Sequence, residues 1–286
     1  MKRKFFAAVI LISLLTVSAS AEGIKIGVMA KSAITEEEFN KKIAQSTDNI
    51  SYDKGTAWRV LHPSHSIAHD KYIFYDTIGS MQMALDSGAI DEINLPQIVA
   101  EYLLSTNPGK YEVSCVKHMD DSLGYAFGFA DEELQKKFDA ALKELQSSGK
   151  YAELVASLEQ LQLDNLEQLK PAEFEKFEGA ETLKIAITGE IPPIDFIAPN
   201  GVPAGFNVAL LSEIAKILKV NVELIHVYAE ARLPTLISGR ADVVFWFLFD
   251  IPKTDMPEGK IFLSSPYYLM DNVLELRLRS LASTVN

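Results

Sequence analysis

The chain has 286 residues, of which 48% are hydrophobic and 23% are charged, and its formal net charge is −12. This length is sufficient for two lobes with separate cores. The acidic balance argues against nucleic acid or an anionic membrane as a partner, because both require a basic face. Cys115 is the single cysteine. It excludes an intramolecular disulfide and is expected to be a buried thiol.

The first residues predict export. Three basic residues at 2–4 precede an apolar run over 5–17, and Ala19-Ser20-Ala21 provides the small residues that a signal peptidase requires. We therefore expect a signal peptide over residues 1–21. Its removal takes three positive charges away and changes the net charge from −12 to −15. The apolar run is too short to span a bilayer comfortably, so a periplasmic location is favoured over a membrane anchor.

The N-terminal half alternates strand and helix patterns. Thr35, followed by three glutamates, is typical of a capped helix start, whereas residues 40–70 are polar and irregular. The predicted strands are 24–28, 72–75 and 90–95, and the predicted helices are 78–86 and 97–104. Alternation of this kind predicts an α/β fold with a mostly parallel sheet.

The C-terminal half repeats this alternation after a pair of helices. A short apolar strand at 124–130 is followed by helices at 131–146 and 151–163, and by a linker rich in Leu, Glu, Gln and Lys. The next predicted elements are a strand at 183–187, a turn at Pro192-Pro193, a helix at 207–218, a strand at 221–227, a helix at 233–238 and a strand at 242–247. The last element, 272–279, alternates apolar and charged residues, which predicts a strand with one wet face.

Several short motifs in the C-terminal half carry a resemblance. In order, they are Leu183-Lys184-Ile185-Ala186-Ile187, Pro193-Ile194-Asp195-Phe196, Gly205-Phe206-Asn207-Val208, Leu236-Ile237-Ser238-Gly239-Arg240-Ala241-Asp242 and Ser265-Pro266-Tyr267-Tyr268. Their order and spacing resemble the first lobe of type 2 periplasmic solute-binding proteins of the amino-acid ABC transporter class, family 3. The resemblance implies two lobes, each with a mostly parallel sheet flanked by helices.

The second lobe of that family has counterparts earlier in the chain, so the order of the lobes is reversed. The counterparts are Gly79–Asp91, Val99–Leu104 with Asn107-Pro108-Gly109, Gly124–Gly128 and Asp131–Tyr151. We interpret the protein as a circular permutant, in which a linker joins the family's original ends. Two fragments of a decayed tandem protein are the alternative.

The permuted arrangement predicts six segments. They are a signal peptide (1–21), the second lobe (22–120), a return strand with terminal helices (121–163), a linker (164–180), the first lobe (181–266) and a hinge crossing with a strand that completes the second lobe (267–286). The segments 265–268 and 117–124 are expected to be the crossovers that absorb lobe rotation.

Ligands of open α/β sheets bind beyond the carboxyl ends of the strands. In the first lobe this rule selects Glu190, Ile191, Tyr228, Arg232, Trp246, Phe247 and Asp250. In the second lobe it selects Ser32, Thr35, Thr77 and Asn94.

Two expected charge partners are absent from these positions. The resemblance implies an arginine after the third strand, to hold a ligand carboxylate, and an aspartate just before Pro96, to pair with an ammonium. The stretch 250–255 contains no arginine, and Asn94 replaces the aspartate. Arg232 is the remaining cation for an anionic ligand, with a surface arginine at a helix start as the alternative. Trp246 and its aromatic neighbours indicate a stacking pocket, although strand alternation requires some of them to pack the sheet.

Two further patterns have ordinary explanations beside functional ones. His62, His65 and His69 fall within eight residues and could ligate a transition metal, but a solvated loop is the default and no metal is predicted. Glu190 and Asp195 could form an acid–base pair, whereas a turn acceptor is the favoured role of Asp195.

The leading hypothesis is a monomeric periplasmic protein that captures a small amino-acid-like solute or organic acid in an interlobe cleft. It would deliver this solute to an inner-membrane ABC permease and would need no cofactor and catalyse no reaction. The alternatives are a dehydratase-type enzyme of the same fold, similar to cyclohexadienyl dehydratase, and a binding protein that serves a receptor.

Overall fold

The computed structural model describes residues 23–29, 35–45, 70–161, 172–248 and 261–279. The strands are β1 (Lys25–Met29), β2 (Lys71–Tyr75), β3 (Glu92–Pro96), β4 (Tyr111–Phe129), β5 (Thr182–Ile187), β6 (Glu190–Ile191), β7 (Asp195–Ile197), β8 (Pro203–Ala204), β9 (Asn221–His226), β10 (Val243–Leu248), β11 (Phe262–Leu263) and β12 (Tyr268–Leu278). The helices are α1 (Glu36–Gln45), α2 (Ile78–Asp86), α3 (Gln97–Thr106), α4 (Glu132–Ser148), α5 (Lys150–Leu161), α6 (Phe206–Leu218) and α7 (Arg232–Ile237), with a short 3-10 helix at Ala229–Ala231.

The main sheet consists of two halves with the same internal order. Its strands follow the order β2-β1-β3-β12-β4-β10-β5-β9, with β11 beside β4. In one half β2, β1 and β3 are parallel and β12 is antiparallel to β3. In the other half β9, β5 and β10 are parallel and β4 is antiparallel to β10. The chain is therefore an α/β protein of two lobes, and we call the half with β5, β9 and β10 the first lobe and the half with β1, β2 and β3 the second lobe.

A pair of long antiparallel strands joins the lobes. β4 has 19 residues and β12 has 11, and their pairing runs from Tyr268 opposite Tyr125 to Leu278 opposite Tyr111. The sequence predicted a short strand at 124–130 preceded by a crossover. In the structure both belong to one strand, because β12 supplies hydrogen-bond partners along nearly all of β4.

The start of β1 and the end of β12 lie at the same end of the second-lobe strands. The Asp91 amide, just before β3, donates to the Lys25 carbonyl at 2.9 Å, and the Arg279 amide donates to the Lys110 carbonyl at 2.9 Å. Only β3 separates β1 from β12, so the two strand ends are about 10 Å apart, which is two interstrand spacings. A short loop could join them, as the permutation interpretation requires.

The helix ends follow their local sequence signals. Thr35 and Glu38 form a capping box, in which the Glu38 amide donates to the Thr35 hydroxyl at 3.2 Å and the Thr35 amide donates to the Glu38 carboxylate at 3.0 Å. Asp131 caps α4 by accepting from the Leu134 amide at 2.8 Å, and Gly149 ends α4 with φ 81°. The capped start predicted at Thr35 is confirmed.

The first lobe has an aromatic core beneath the terminal helices. The apolar stripe of α4 is buried, and the Phe138 ring lies 5.4 Å from Phe127 and 5.0 Å from Phe129. Both α4 and α5 pack against α6. This stripe, formed by Phe138, Ala141, Leu142 and Leu145, is therefore part of the core. The predicted burial of Cys115 is confirmed.

Candidate functional site

In both lobes the carboxyl ends of the parallel strands face the middle of β4 and β12, the two strands that join the lobes. Pro96, at the end of β3, lies opposite Val273 of β12. Leu248, at the end of β10, lies opposite Tyr125 of β4. Among the described residues, the central parts of β4 and β12 are all that runs between these two levels. The carboxyl ends of the strands of the two lobes therefore point toward one another, and we call the space between them, which is the candidate binding site, the crevice.

On the first-lobe side, a buried carboxylate fixes the loop after β5. Asp195 accepts hydrogen bonds from the Thr188 amide at 2.9 Å, the Thr188 hydroxyl at 3.1 Å and the Gly189 amide at 3.1 Å. Its side chain is inaccessible to solvent. Burial raises the pKa of Asp195, while the three hydrogen bonds oppose the rise. Asp195 is therefore the turn acceptor that the sequence favoured, and it holds the backbone that leads into Glu190.

Arg232 begins α7 and reaches the backbone of β10. Its Nε donates to the Ala229 carbonyl at 3.0 Å, and one terminal nitrogen donates to the Phe245 carbonyl at 3.2 Å. The side chain is half-buried. Burial lowers the pKa of the guanidinium, and the nearby tyrosines Tyr267 and Tyr125 oppose this effect. These contacts hold the half-buried guanidinium beside β10.

The other first-lobe candidates differ in exposure. Tyr228 is 55% exposed, and its ring meets His226 edge-on at 5.5 Å. Glu190 is half-buried, whereas Ile191 is only 7% exposed. Trp246 and Phe247 lie in β10, but their side chains and the whole of Asp250 are outside the described residues.

On the second-lobe side, two candidates are helix caps. Thr35 begins α1, and Thr77 caps α2 by accepting from the Ser80 amide at 3.0 Å. Asn94 lies in β3 and donates weakly to the Glu275 carboxylate at 3.5 Å. Ser32 is outside the described residues. Thr77 therefore lies just after β2 and Asn94 lies within β3, whereas Thr35 caps α1.

A buried charge cluster in the second lobe escaped the sequence interpretation. Lys117 of β4 forms an ion pair with Glu275 of β12, and the two side chains are 8% and 0% exposed. The Lys117 ammonium also donates to the Tyr72 hydroxyl at 3.1 Å. The prediction that strand 272–279 has one wet face is therefore wrong at Glu275. Its alternating pattern is real, but Glu275 is covered within the lobe, whereas Arg277 and Arg279 are 26% and 54% exposed.

The two lobes also approach each other where α2 packs against β6. Ile78 of α2 and Ile191 of β6 belong to one buried apolar cluster. Asp76 directly follows β2, and Glu230 lies in the 3-10 helix after β9. The neighbouring Asp76 carboxyl, together with burial, raises the pKa of Glu230. Because these two residues come from distant parts of the chain, no sequence pattern pairs them.

Two remaining points concern metal binding and membrane-spanning helices. Within the described ranges, no group of three His, Cys, Asp or Glu side chains could hold a metal ion. His62, His65 and His69 lie outside those ranges. None of the described helices combines the length and hydropathy that a bilayer crossing requires.

Comparison with known proteins agrees with the resemblance seen in the motifs. Residues 183–277 match the family of bacterial extracellular solute-binding proteins, family 3. This match covers the first lobe and most of β12. No curated protein matches the chain as a relative.

Several solved structures are similar to the chain at low sequence identity. The ligand-binding component of an ABC-type import system from Staphylococcus aureus, with zinc bound, is 11% identical with a TM-score of 0.43, over 88% of this chain and 66% of that one. The BvgS VFT2 domain from Bordetella pertussis is 12% identical with a TM-score of 0.42, over 90% and 81%. A putative L-cystine ABC transporter from Listeria monocytogenes is 10% identical with a TM-score of 0.41, over 91% and 84%. The chain thus spans just under two thirds of the Staphylococcus aureus protein.

The chain resembles the type 2 periplasmic solute-binding proteins. The family 3 match covers residues 183–277, about one third of the chain, and the two similarly ordered half-sheets are joined by β4 and β12. The matched family consists of binding proteins.

Proposed function

We propose that the protein is a periplasmic solute-binding protein that closes its two lobes around a small solute and delivers it to an inner-membrane ABC permease. The observation that carries this proposal is the family 3 match over 183–277. The match lies in the lobe whose strand ends border the crevice. Export through the signal peptide at 1–21 and a circularly permuted order of the lobes are parts of the same proposal.

A solute-binding role is supported by how the lobes are joined. β4 and β12 are the continuous connections between the half-sheets, so a modest change of twist in two strands would rotate one lobe relative to the other. A ligand that contacts both lobes would stabilise the closed arrangement. The permease would then distinguish the closed form from the open one.

The proposed ligand is a small organic acid or an amino-acid-like solute. Arg232 would neutralise its anionic group, since its guanidinium is held beside the end of β10 by the Phe245 carbonyl. Tyr228 is an exposed aromatic surface two residues beyond β9. From the second lobe, Thr77 and Asn94 would add polar contacts. We place Glu190, Trp246, Phe247, Asp250 and Ser32 in the same binding region.

Binding without catalysis is favoured over a dehydratase-type reaction. An acid–base mechanism in the crevice would require a carboxyl group free to exchange protons with a substrate. Asp195 instead accepts three hydrogen bonds inside the loop after β5. It is therefore a structural acceptor, and no second carboxylate pairs with it among the contacts just described.

The test is a ligand screen on the mature protein, residues 22–286, by thermal shift and native mass spectrometry. The panel contains amino acids, small organic acids and aromatic acids. We expect an anionic compound to raise the melting temperature and to appear as a one-to-one adduct of a monomer. Failure of every compound to bind would refute the proposal.

A charge-removal variant sharpens this test. Losing a charge-assisted hydrogen bond costs about 1.5–3 kcal/mol, so Arg232→Gln should weaken binding of the anionic compound by roughly 10–100-fold. Arg240→Gln is the matched control, because Arg240 lies on the exposed surface after α7. Equal affinities of the two variants, measured by calorimetry, would remove Arg232 from the site.

A further inference from the structure

The outer edge of the second-lobe sheet is covered by a helix. Among the described strands, β2 is the last one on this side of the main sheet, and α1 packs on it. The backbone groups of alternate residues in a strand point to opposite sides. Those of Tyr72 and Phe74 point away from β1 and towards α1, where they form hydrogen bonds with side chains.

Two side chains of α1 bond to this edge as a neighbouring strand would. The Asn40 carboxamide accepts from the Tyr72 amide at 2.7 Å and donates to the Tyr72 carbonyl at 2.7 Å. The Glu36 carboxylate accepts from the Phe74 amide at 2.9 Å. A carboxamide offers the same donor and acceptor as a peptide group. The backbone groups that a further strand would use are therefore already occupied by α1.

The same face of α1 covers the aromatic side chains of β2. Phe39 lies between Glu36 and Asn40 on this half-buried face, and its ring is 5.5 Å from the rings of both Tyr72 and Phe74. With ten residues, α1 is too short to be a stable helix by itself. Its position therefore depends on its contacts with β2.

Without α1, β2 would be an open edge with high strand propensity. Its sequence, Lys71-Tyr72-Ile73-Phe74-Tyr75, is rich in aromatic residues and contains a β-branched one. An edge of this kind is a template for pairing with another chain. The β2 strand of a second copy fits it in antiparallel orientation, because Tyr72 of each copy would then lie opposite Phe74 of the other. Ile73 would lie opposite Ile73, and this twofold pairing is complete with two copies.

We propose that α1 is an edge cover, which keeps the protein monomeric by preventing β2 from pairing with β2 of a second copy. Asn40 and Glu36 carry this role, since they bond to the groups that the second strand would use. The covered edge of β2 is accordingly an interaction surface for another copy of this chain, available when α1 is displaced. This role goes beyond the proposed transport function and requires no solute.

The test compares two double substitutions in α1 of the mature protein, residues 22–286. Glu36→Ala with Asn40→Ala removes the hydrogen bonds of α1 to the β2 backbone. Glu37→Ala with Lys41→Ala is the matched control, because these two side chains are exposed on the same helix. Size-exclusion chromatography with light scattering gives the mass over a series of protein concentrations. We expect the first variant to reach twice the monomer mass, whereas the control and the unsubstituted protein stay monomeric.

A cysteine in β2 identifies the surface through which the copies pair. Opposite residues that exchange no hydrogen bonds in an antiparallel pair have Cα atoms about 4.5 Å apart, which a disulfide can bridge. Ile73→Cys is therefore added to both double variants in a Cys115→Ala background. After oxidation we expect a covalent dimer of the Glu36→Ala, Asn40→Ala variant and a monomer of the matched control.

Two further measurements separate an uncovered edge from a damaged fold. Glu36→Gln keeps an oxygen that accepts from the Phe74 amide, so it should stay monomeric, and circular dichroism should show each variant to be folded. If the Glu36→Ala, Asn40→Ala variant does not fold, hydrogen exchange of the unsubstituted protein decides. Slow exchange of the Tyr72 and Phe74 amides would support the edge cover, and rapid exchange would overturn it.

Three other outcomes would overturn the edge cover as well. One is a folded Glu36→Ala, Asn40→Ala variant that stays monomeric at every concentration. The second is a dimer of this variant that the cysteine at position 73 does not cross-link. The third is an unsubstituted protein that is already dimeric. Because no solute is added, these results are separate from the outcome of the ligand screen.

Discussion

The buried ion pair of the second lobe gives the sharpest stability prediction. Lys117→Met keeps the length of the side chain but removes the positive charge next to Glu275. The Glu275 side chain is 0% exposed, so water cannot replace the lost partner. The Tyr72 hydroxyl, which accepts from the Lys117 ammonium at 3.1 Å, would also lose its donor.

The expected cost can be worked out from this burial. Removing one partner of a buried ion pair destabilises a protein by about 3–5 kcal/mol. In a protein of this size each kcal/mol lowers the melting temperature by roughly 2–4 °C. Lys117→Met should therefore lower it by roughly 6–20 °C. Solvent screening does not reduce this figure, because neither charge is exposed.

The double substitution Lys117→Met with Glu275→Leu distinguishes a broken pair from a damaged core. Replacing both charges by apolar groups of similar size is often neutral or stabilising. We expect the double variant to recover most of the lost free energy of unfolding. About 1 kcal/mol should remain lost for each of the hydrogen bonds of Tyr72 and Asn94.

Urea unfolding followed by circular dichroism measures all of these variants. Lys216→Met is the control, since Lys216 pairs with Glu213 at the surface, where an ion pair contributes about 0–1 kcal/mol. If Lys117→Met costs no more than Lys216→Met, or if the double variant is no more stable than the single one, the reasoning about the buried pair is wrong.

Two other predictions test the first lobe and the tyrosines. Gly205 has φ 106°, and a Cβ there would lie 2.5 Å from the Ile194 carbonyl oxygen, so Gly205→Ala should cost more than about 2 kcal/mol. Gly201→Ala, with φ 80° and open space, should cost about 1 kcal/mol in the same urea assay; equal costs would contradict the steric explanation. Burial raises the pKa of Tyr72 and Tyr125, so their contribution to stability is present below pH about 10 and is lost as pH rises through the raised values. Ultraviolet titration of tyrosinate should show late-titrating groups that ionise together with unfolding, and ionisation of all tyrosines before unfolding would contradict this.

Much of the secondary structure could be predicted because its signals are local. The helix starts at Thr35 and Asp131 depend on side chains that bond within three residues, and the apolar stripe of α4 needs only helical spacing. The motifs of the first lobe are equally local, which is why their resemblance agrees with the family match over 183–277. Long-range hydrogen bonding decided where β4 begins, since its first half pairs with residues more than 150 positions away.

The candidate site could be predicted only in part. The rule about strand ends selected Glu190 and Tyr228, which follow β5 and β9, but it gave no information about what each side chain touches. Glu275 was misinterpreted because charged residues in an alternating strand are usually exposed. The ion pair with Lys117 reverses this expectation through a partner on another strand.

The sequence by itself determined the α/β class, the turns and caps, and the similarity of one lobe to a family of binding proteins, since each depends on residues close together in the chain. Only the tertiary structure decided which charges meet. The Lys117–Glu275 pair joins residues more than 150 positions apart. Pairing at such distances depends on strand order and lobe orientation, which no local pattern specifies.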